Sequence, residues 1–528
     1  MTVRDVARPV ALANANAREL FAARGRLAAV SWGRWIILIA LALAFQGTRG
    51  LWEPDEGFYA NAALGMLESG DYLVPRLNGE PFLDKPPLVY WVEATGALFL
   101  GRTEWGLRFG HALLFVASAL LAGAAARRLS DSRLGLDASL LYATLPLSYF
   151  AASVLTPDTP LAFGLALALY GLIRLESKPA AESSRLAWLL TGLGFGVALL
   201  AKGPVALAFA AAALVHRALG GRLRTTLRDG WAWVGAALAL LPAIAWYGVI
   251  SVRLPGAAGY LLDQQIIGRL LSAHLERNPG WTGALRVYLP TLVIGLAPWG
   301  VYAARRLGQA LPRAWSGRQS DSPGSRVELL LVLWILLPLA VFVAASSRLP
   351  FYLLPLASPT AILAQLALAD RPRWSGAASR VPIRLLAAAA LALVALKASA
   401  SYREDYRDSR GMARALAAVL PPSVHRVISV DVNRNGLALY LPGGVEWVTR
   451  DPTPYPFYSR LESFDEEVAE VASCPGAHAL IVSPRDLQEV LSALVGAGQS
   501  CRVATFTRHN PVLFCESVRP PESAEILH

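Results

Sequence analysis

Two adjacent carboxylates, Asp55 and Glu56, stand in the segment Trp52-Glu53-Pro54-Asp55-Glu56-Gly57-Phe58-Tyr59, directly after the first apolar stretch of the chain. Pro54 suits the first position of a helix, because its missing N–H would be unpaired there in any case. Acidic residues in a first turn often do no more than stabilise the positive end of the helix. Beside a bilayer, the same pair can remove a proton or bind a cation. The segment alone leaves both interpretations open.

Other ionisable residues stand at the ends of apolar stretches, where charges are costly and usually functional. Asp158 follows Thr156-Pro157, so it suits either a cavity carboxylate or a first-turn helix stabiliser. Lys202 precedes Gly203-Pro204 between two short apolar stretches, and a lysine there can also extend to the lipid headgroups. Lys85, in Asp84-Lys85-Pro86-Pro87, suits a phosphate contact or a simple position on the membrane surface.

Two later segments add cations and a phenol. The segment 251–283 contains Arg269 and His274, and the turn Ser346-Ser347-Arg348-Leu349-Pro350-Phe351-Tyr352 contains Arg348 and Tyr352. Cations at headgroup depth suit the phosphate of an anionic lipid. Carboxylates suit activation of a hydroxyl or amine acceptor. Together, lysines, arginines and a tyrosine are expected to surround the acidic pair Asp55-Glu56, which predicts chemistry on a lipid phosphate.

The composition sets the class of protein that must position these residues. Of 528 residues, 55% are hydrophobic and only 16% are charged, and the mean hydropathy is +0.42. Soluble domains carry about 25% charged residues, so the chain is predicted to be a polytopic membrane protein. The net charge of +11 comes from short arginine clusters between apolar stretches, without interleaved aromatic residues. This distribution excludes nucleic-acid binding and is typical of cytoplasmic loops.

Apolar stretches of about 20 residues predict helices that cross a bilayer. We predict about eleven such spans, with an uncertainty of one or two around Lys202, at 33–50, 105–126, 134–153, 158–175, 186–201, 203–219, 231–250, 284–304, 327–346, 350–369 and 382–399. The basic tail 1–32 lacks a signal-peptide cleavage site, so the first span is expected to be retained. With this register, every arginine cluster lies on the side of the tail, which the positive-inside rule makes the cytoplasm.

The loop 51–104 is therefore predicted to be extracytoplasmic. Apolar residues at i, i+4 spacing predict an amphipathic helix over Pro54–Ser69, and Pro87–Leu100 predicts a second short helix. Both suit helices that lie in the membrane interface.

Beyond residue 400 the pattern changes to that of a small α/β domain, 401–528, which the odd number of spans also places outside the cytoplasm. The predicted strands are Val427–Val432, Leu437–Leu441, Val445–Val448, Ala479–Val482, Val503–Phe506 and Val512–Cys515, and the predicted helices are Gly411–Leu420, Glu466–Ala472 and Leu487–Gly496. The three cysteines, Cys474, Cys501 and Cys515, show no zinc spacing and allow one disulfide with an odd thiol.

Five short motifs occur in a fixed order along the membrane region: Glu53-Pro54-Asp55-Glu56-x-x-Tyr59-Ala60, Asp84-Lys85-Pro86-Pro87-Leu88-x-x-Trp91, Thr156-Pro157-Asp158, Lys202-Gly203-Pro204 and Leu349-Pro350-x-Tyr352-x-Leu354-Pro355. In this order they resemble the bacterial lipid-linked glycosyltransferases of the aminoarabinose (lipid A) transferase and protein O-mannosyltransferase superfamily. The resemblance implies a GT-C membrane fold, and the layout with a C-terminal α/β domain is similar too.

The resemblance implies an inverting transfer of one sugar from a polyprenyl-phosphate donor to a lipid, glycan or protein acceptor outside the cytoplasm, with lipid A among the acceptors. Asp55 matches the family's first-loop aspartate, which would be the catalytic base or a carboxylate that orients the acceptor, and Asp158 matches a second carboxylate at the cavity. Lys85 and Tyr352 match positions that hold the lipid phosphate, and Arg269 and Lys202 are expected to join them. Glu56 and Tyr59, with Arg348, are expected to support them.

The same resemblance implies that Asp84 and His274 lie near a divalent metal. Many relatives carry Arg two residues after the Asp-Glu pair, where this chain has Phe58. One phosphate contact is therefore expected to be missing or replaced.

Two other classes of protein compete with a glycosyltransferase. A transporter or flippase of lipid-linked sugars would show internal repeats and broken helices with ionisable groups at mid-depth. The two halves of the chain show no repeat, and the ionisable residues gather on one face. A non-catalytic membrane assembly protein fits the ordered motifs least. The enzyme is the favoured prediction.

Overall fold

The computed structural model describes residues 32–129, 135–177, 184–263, 277–316, 322–370, 381–403, 405–441, 443–450, 462–473, 476–506 and 510–517. Up to residue 401 the chain is almost entirely helical. The helices are α1 Trp32–Leu43, α2 Asp55–Ser69, α3 Leu88–Leu100, α4 Glu104–Leu129, α5 Gly135–Ala143, α6 Pro146–Ala151, α7 Asp158–Ser177, α8 Arg185–Lys202, α9 Ala206–Leu219, α10 Leu223–Arg228, α11 Gly230–Arg253, α12 Ala257–Tyr260, α13 Gly280–Pro290, α14 Gly300–Ser316, α15 Pro323–Ala344, α16 Ala357–Ala369 and α17 Ile383–Ser401.

Within the described residues, seven stretches are long and apolar enough to cross a membrane, or eight if the bent pair Gly280–Gly295 and Gly300–Arg313 forms one span. The prediction of a polytopic helical membrane protein is confirmed. Three of the predicted spans differ in the structure. The first helix ends at Leu43, the stretch 134–153 divides into α5 and α6, and the stretch 284–304 bends by 104°. Prolines explain the last two, because Pro146, Pro290 and Pro298 lack the N–H that a continuous helix needs.

Helices α7 and α8 pack closely, and small residues make this approach geometrically feasible. A side-chain carbon at Gly194 would lie 2.4 Å from the backbone nitrogen of Ala168, and one at Gly164 would lie 2.7 Å from that of Ala198. Larger residues would therefore force the two helices apart, as is usual for glycine-mediated helix packing in membranes. The contact fixes the start of α7 against the end of α8.

The chain reverses between α8 and α9, where Gly203 has φ +64°. At one end of α7, Asp158 pairs with Lys202; at the other end, Glu176 pairs with Arg217 at 2.5 Å. Lys202, at the end of α8, lies at the start of α7, whereas Arg217, 15 positions later on α9, lies near the end of α7. Helices α8 and α9 therefore run in opposite directions. Spans on either side of Lys202 are what the sequence predicts.

The first loop lies between the membrane helices and the C-terminal domain. Helix α2 is followed by a short antiparallel hairpin of β1, Arg76–Leu77, and β2, Glu80–Pro81, and then by α3. The predicted amphipathic helix forms one residue later than expected, and it is buried on most faces rather than half exposed. It packs on α3 on one side and on the 3-10 helix Asn435–Leu439 on the other.

The C-terminal residues form a five-stranded mixed sheet. Its strands are β3 Val424–Val430, β4 Glu446–Val448, β5 Ala477–Val482, β6 Gln499–Phe506 and β7 Pro511–Ser517, in the order β4-β3-β5-β7-β6. The helices are α18 Ser409–Val419, α19 Phe464–Ser473 and α20 Leu487–Gly496. Five predicted strands and three predicted helices are confirmed, but Leu437–Leu441 is not a strand. Its first three residues belong to the 3-10 helix Asn435–Leu439, which packs against α2, and Leu437 is buried in the core of the domain.

A disulfide joins Cys501 on β6 to Cys515 on β7, which face each other across the two antiparallel strands. Cys474 lies outside the described residues. Cross-linking a loop of this length stabilises a fold by roughly 3 kcal/mol in the chain-entropy model.

We expect Cys501→Ser to raise the rate of amide hydrogen exchange in β6 and β7 about 100-fold in the full-length protein, as the bond no longer restricts local opening. Hydrogen exchange followed by mass spectrometry measures this change, and Ser500→Ala, an exposed substitution on the same strand, is the control. Equal exchange in Cys501→Ser and wild type would show that the bond contributes nothing to the sheet.

Candidate active site

Three of the predicted site residues, 194 positions apart at the extremes, meet at the end of α7. The ammonium of Lys202 lies 2.5 Å from an Asp158 carboxylate oxygen and 3.9 Å from the centre of the Tyr352 ring. Asp158 begins α7, Lys202 ends α8, and Tyr352 lies in the 3-10 helix Pro350–Leu356. The carboxylate and the aromatic face together stabilise the cation at this end of α7. Asp158 and Lys202 therefore form an ion pair within the site.

Asp55 begins α2 and is half exposed, with 51% of its side chain accessible. Burial raises the pKa of Asp55 above its usual value. The cations Arg277 and Lys85 oppose this shift, and the carboxylates of Asp84 and Asp158 add to it. Position at a helix N-terminus alone would make Asp55 a weak base. Desolvation makes it a stronger one, because the cost of burial falls on the charged form.

Lys85 and Asp84 form an ion pair in which the ammonium lies 2.6 Å from the carboxylate, and both side chains are largely buried. The pair holds a cation next to Asp55. The ammonium contacts one of the two carboxylate oxygens of Asp84, and the metal contact at Asp84 stays a prediction. His274, the second predicted metal contact, lies outside the described residues, as does Arg269.

Arg277 is a cation near Asp55 that the sequence analysis missed. Its guanidinium lies 4.0 Å from an Asp55 carboxylate oxygen. The sequence offered only a cluster of charges in the segment 251–283, from which Arg277 did not stand out. Its contact with Asp55 in the folded protein identifies it as a site residue.

Arg348 holds the segment that carries Arg277. Its guanidinium donates to the carbonyl oxygens of Asn278 and Val343, each at 2.8 Å, and its backbone N–H donates to the carbonyl of Arg277 at 2.8 Å. The side chain of Asn278 donates back to the carbonyl of Arg348 at 3.0 Å. Arg348 thus fixes the backbone next to Arg277, and its supporting role in the site stays a prediction.

Two tyrosines line the same region. Tyr59 is buried on α2, and burial together with the surrounding carboxylates raises its pKa. Tyr288, on α13, is also buried, and its hydroxyl has no hydrogen-bond partner among the described residues. It interacts electrostatically with Asp158 and Tyr352. A buried hydroxyl in this position is suited to hydrogen-bond a substrate.

Glu56 is buried among hydrogen-bond donors, unlike the half-exposed Asp55 that precedes it. Only 1% of its side chain is exposed, and its oxygens accept from the guanidinium of Arg108 at 3.1 Å and from that of Arg49. The backbone N–H groups of Trp52 and Leu155 donate to it at 2.9 and 3.1 Å. These charges and hydrogen bonds outweigh burial and lower the pKa of Glu56 to about 2. The contacts tie the first loop to α4 and to the segment before α7.

Phe58 occupies the position at which many relatives carry arginine. Its ring stacks on Phe82, with centroids 5.7 Å apart, and lies 5.8 Å from the ring of Trp447 on β4. The residue therefore packs the first loop against the C-terminal sheet. A guanidinium still reaches Asp55, but it comes from Arg277.

The end of the helix bundle opposite to this site is strongly basic. Glu176, near the end of α7, is approached by Arg217, Arg326 and Arg222 at 2.5, 3.3 and 4.0 Å. Since α7 spans 20 residues, roughly 30 Å separate its two ends. The candidate site and the basic loops thus lie on opposite sides of the membrane region.

Comparisons with known proteins agree with this architecture. Residues 84–247 match the family model described as dolichyl-phosphate-mannose-protein mannosyltransferase. That range begins at Asp84-Lys85 and includes Asp158 and Lys202. The solved structure of ArnT from Cupriavidus metallidurans bound to undecaprenyl phosphate is similar in fold, with a TM-score of 0.71, 21% identity, and coverage of 93% of this chain and 98% of that one.

Two curated relatives are undecaprenyl phosphate-alpha-4-amino-4-deoxy-L-arabinose arabinosyl transferases. The one from Pseudomonas aeruginosa strain UCBPP-PA14 is 30% identical over 383 residues, which is 70% of this chain and 67% of the relative. The one from Edwardsiella ictaluri is 32% identical over 317 residues, 60% of this chain and 55% of the relative. The chain belongs to the family of the undecaprenyl phosphate-aminoarabinose arabinosyl transferases, which are membrane glycosyltransferases with the GT-C fold.

Proposed function

We propose that the protein transfers one sugar, with inversion, from an undecaprenyl-phosphate donor to an acceptor on the periplasmic side of the bacterial inner membrane. The observation that carries this proposal is the position of Asp55. It is a half-exposed carboxylate with a raised pKa, next to the cations Lys85 and Arg277. The relatives named above use an undecaprenyl-phosphate sugar according to their names. Lipid A is the acceptor that the resemblance favours, ahead of other glycans and proteins.

In the proposed reaction, an acceptor hydroxyl or amine attacks the anomeric carbon from the face opposite the phosphate. The new bond from the acceptor forms as the bond between the anomeric carbon and the phosphate oxygen breaks. The polyprenyl phosphate leaves with the electron pair, and the acceptor proton passes to Asp55. Lys85 and Arg277 stabilise the charge that develops on the leaving phosphate. Tyr352, Lys202 and Asp158 complete the wall of the site.

The orientation that we propose places the N-terminus in the cytoplasm and the C-terminal domain in the periplasm. The arginines around Glu176 favour the cytoplasm for the end of α7 remote from Asp55. The Cys501–Cys515 disulfide favours an oxidising compartment for the C-terminal sheet. Both observations support the same orientation.

Transfer by the purified protein tests this function. Full-length protein in detergent is incubated with radiolabelled undecaprenyl-phosphate aminoarabinose and lipid A, and the label in the acceptor is counted. Label in the acceptor with loss from the donor is the expected result. Movement of intact donor across a vesicle membrane without bond cleavage would contradict the proposal. Family membership already speaks against such a transporter, because the curated relatives are transferases.

We expect Lys85→Met to lower kcat/KM for the donor by about 10- to 100-fold, since a hydrogen bond between charged groups contributes roughly 1.5–3 kcal/mol. Initial rates at varied donor concentration measure the change. Lys85→Arg, which keeps the charge, is expected to retain more activity than Lys85→Met. As a control, Arg102→Met removes a half-exposed cation of the same loop. Equal rates for Lys85→Met and Arg102→Met would exclude a phosphate contact by Lys85.

A further inference from the structure

A basic pocket of about 420 Å³ opens at the end of the helix bundle remote from Asp55, lined by the side chains of Arg217, Arg222 and Arg326. It lies among the end of α7, the start of α8, the end of α9, helix α10 and the start of α15. Small-molecule sites occupy roughly 300–1,000 Å³, so the basic pocket has room for a polar group. The length of α7, roughly 30 Å, separates it from the candidate active site.

The described lining of the basic pocket carries an excess of positive charge. Three arginines face two acidic residues there, Glu176 and Asp229, which leaves a net charge of +1. All three guanidinium groups lie within 4.0 Å of the Glu176 carboxylate, whose side chain is only 3% exposed. Asp229 accepts instead from the indole of Trp188 at 2.9 Å and from the backbone N–H of Trp231 at 3.0 Å. A partly buried cation without a counter-charge is unfavourable, so the lining favours an anion.

Two of the arginines present accessible N–H groups. Arg217 donates through Nε to the Thr226 hydroxyl at 2.8 Å and through Nη1 to Glu176, and its Nη2 has no hydrogen-bond partner among the described residues. Arg326 donates through Nη2 to the carbonyl of Glu176 at 2.6 Å, and its Nη1 likewise has none in the described part of the chain. Both nitrogens are accessible, in contrast to the buried Nε of Arg326. Accessible guanidinium N–H groups are well suited to hold phosphate oxygens.

The surroundings of the basic pocket indicate that it lies at the surface of the membrane. Leu227 and Trp233 are 54% and 60% exposed, and the indole of Trp233 donates to the carbonyl of Leu227 at 3.0 Å. The guanidinium of Arg185 lies 4.7 Å from the centre of the Trp231 ring. Tryptophans with arginines at the ends of apolar helices are typical of headgroup depth. Lipid phosphates lie at the same depth.

The charge of the basic pocket selects among lipids. A phosphodiester carries one negative charge, so it neutralises the excess charge of the lining while its oxygens accept from the accessible N–H groups. Phosphatidylcholine brings a cation of its own and would leave the lining positive. Phosphatidylglycerol has no such cation. Basic pockets between membrane helices on the cytoplasmic side bind the headgroups of anionic lipids.

We propose that the basic pocket binds the phosphate of an anionic phospholipid in the leaflet remote from the candidate active site. This lipid is distinct from the polyprenyl-phosphate donor, which the proposed function places at the other end of α7. Its phosphate links the end of α9 to the starts of α10 and α15, because Arg217, Arg222 and Arg326 come from these three places. A lipid that binds only the folded protein also stabilises it.

Native mass spectrometry of the full-length protein in detergent tests the site. The probes are dioleoylphosphatidylglycerol and dioleoylphosphatidylcholine, each titrated separately, and inorganic phosphate as a competitor. We expect phosphatidylglycerol to bind about tenfold more tightly than phosphatidylcholine, and Arg222→Met to lower its affinity about tenfold. The matched control is Arg224→Met, which removes an exposed arginine of the same helix that does not line the basic pocket. This variant should bind phosphatidylglycerol like wild type.

Two further variants separate the basic pocket from other causes. Ser184→Trp narrows it without changing its charge and should also weaken phosphatidylglycerol binding about tenfold. The side chain of Ser184 makes no capping hydrogen bond that this substitution would remove. Lys85→Met removes a cation of the candidate active site and should leave phosphatidylglycerol binding unchanged. Thermal unfolding shows whether each variant is folded.

The results that would overturn the lipid site are equally specific. They are equal affinity for the two lipids, equal binding by Arg222→Met and Arg224→Met, or a loss of binding in Lys85→Met. Displacement of phosphatidylglycerol by inorganic phosphate would indicate a site for the free ion and would overturn the lipid site too. None of these measurements depends on sugar transfer, so their failure leaves the proposed function intact.

Discussion

Asp55→Asn is expected to lower turnover by about 10²–10⁴-fold, equivalent to about 3–5 kcal/mol in the activation barrier, while the protein still folds. The amide cannot take up the acceptor proton, yet it has the shape of the carboxylate. Because Asp55 is half exposed and its contact with Arg277 is long, at 4.0 Å, loss of its charge should cost little stability. Initial transfer rates with saturating donor and acceptor measure the effect.

The matched control is Glu80→Gln, which neutralises an exposed carboxylate in the hairpin of the same loop. It should transfer at the wild-type rate. Asp55→Asn with near-wild-type turnover would exclude Asp55 as the base and would leave Asp84 and Asp158 as the other carboxylates near it.

The pH dependence gives a second measure of Asp55. Its pKa is raised in the folded protein, so the base form is lost at a higher pH than for an ordinary aspartate. The rate should therefore fall as the pH falls through this raised pKa and reach a plateau above it. Arg277→Met removes a cation that favours the charged form, so the fall should move to higher pH. If the transfer rate falls at the same pH in Arg277→Met as in wild type, a group other than Asp55 controls the fall.

Glu56→Gln is expected to destabilise the protein by about 3–5 kcal/mol, because it leaves Arg108 buried with its charge uncompensated. Thermal unfolding in detergent, followed by circular dichroism, measures the change. The control is Glu68→Gln, which lies on the same helix as Glu56. It removes the ion pair between Glu68 and Arg102, in which both side chains are more than half exposed. Exposed pairs contribute about 0–1 kcal/mol, so this variant should unfold like wild type.

The pKa of Glu56 predicts how the stability of the protein changes with pH. It is about 2 in the folded protein, below the usual 4.5. The carboxylate therefore contributes stability that is fully present above about pH 4.5 and is lost as the pH falls towards 2. Glu56→Gln should remove this acid-dependent part. Equal loss of stability on acidification in the variant and in wild type would show that other carboxylates carry the effect.

Regular patterns in the sequence predicted most of the C-terminal domain, and a tertiary contact explains the exception. The segment Leu437–Leu441 has the residue types of a strand, but the backbone N–H of Gly436 donates to Glu53 of the first loop. Leu439 and Tyr440 pack against the core of that loop. Sequence patterns carry no information on such long-range partners, so the 3-10 helix could not be predicted.

The membrane region shows a similar limit. Eight of the eleven predicted spans fall on the seven long apolar stretches of the described residues, with two of them in Arg185–Leu219. Hydropathy finds such spans because a helix in lipid must be apolar along its length. It could not predict the bend of 104° between α13 and α14 or the division of 134–153, since neighbouring helices decide whether a proline ends a span or only bends it. The contact between Lys202 and Asp158 likewise required the close packing of α7 on α8.

The sequence by itself determined a membrane protein with an acidic pair at the start of the first loop and with the motifs of a lipid-linked glycosyltransferase. The resemblance of its motifs assigned catalysis to Asp55 and a supporting role to Glu56, but the residue types alone gave no physical difference between the two carboxylates. The tertiary structure separated them, because successive residues of a helix point about 100° apart. Asp55 lies near Arg277 and Lys85 with its pKa raised by desolvation, whereas Glu56 pairs with the guanidinium groups of Arg108 and Arg49, which lower its pKa. Desolvation and charge partners depend on residues far away in the chain, so only the fold could decide which carboxylate is free to take a proton.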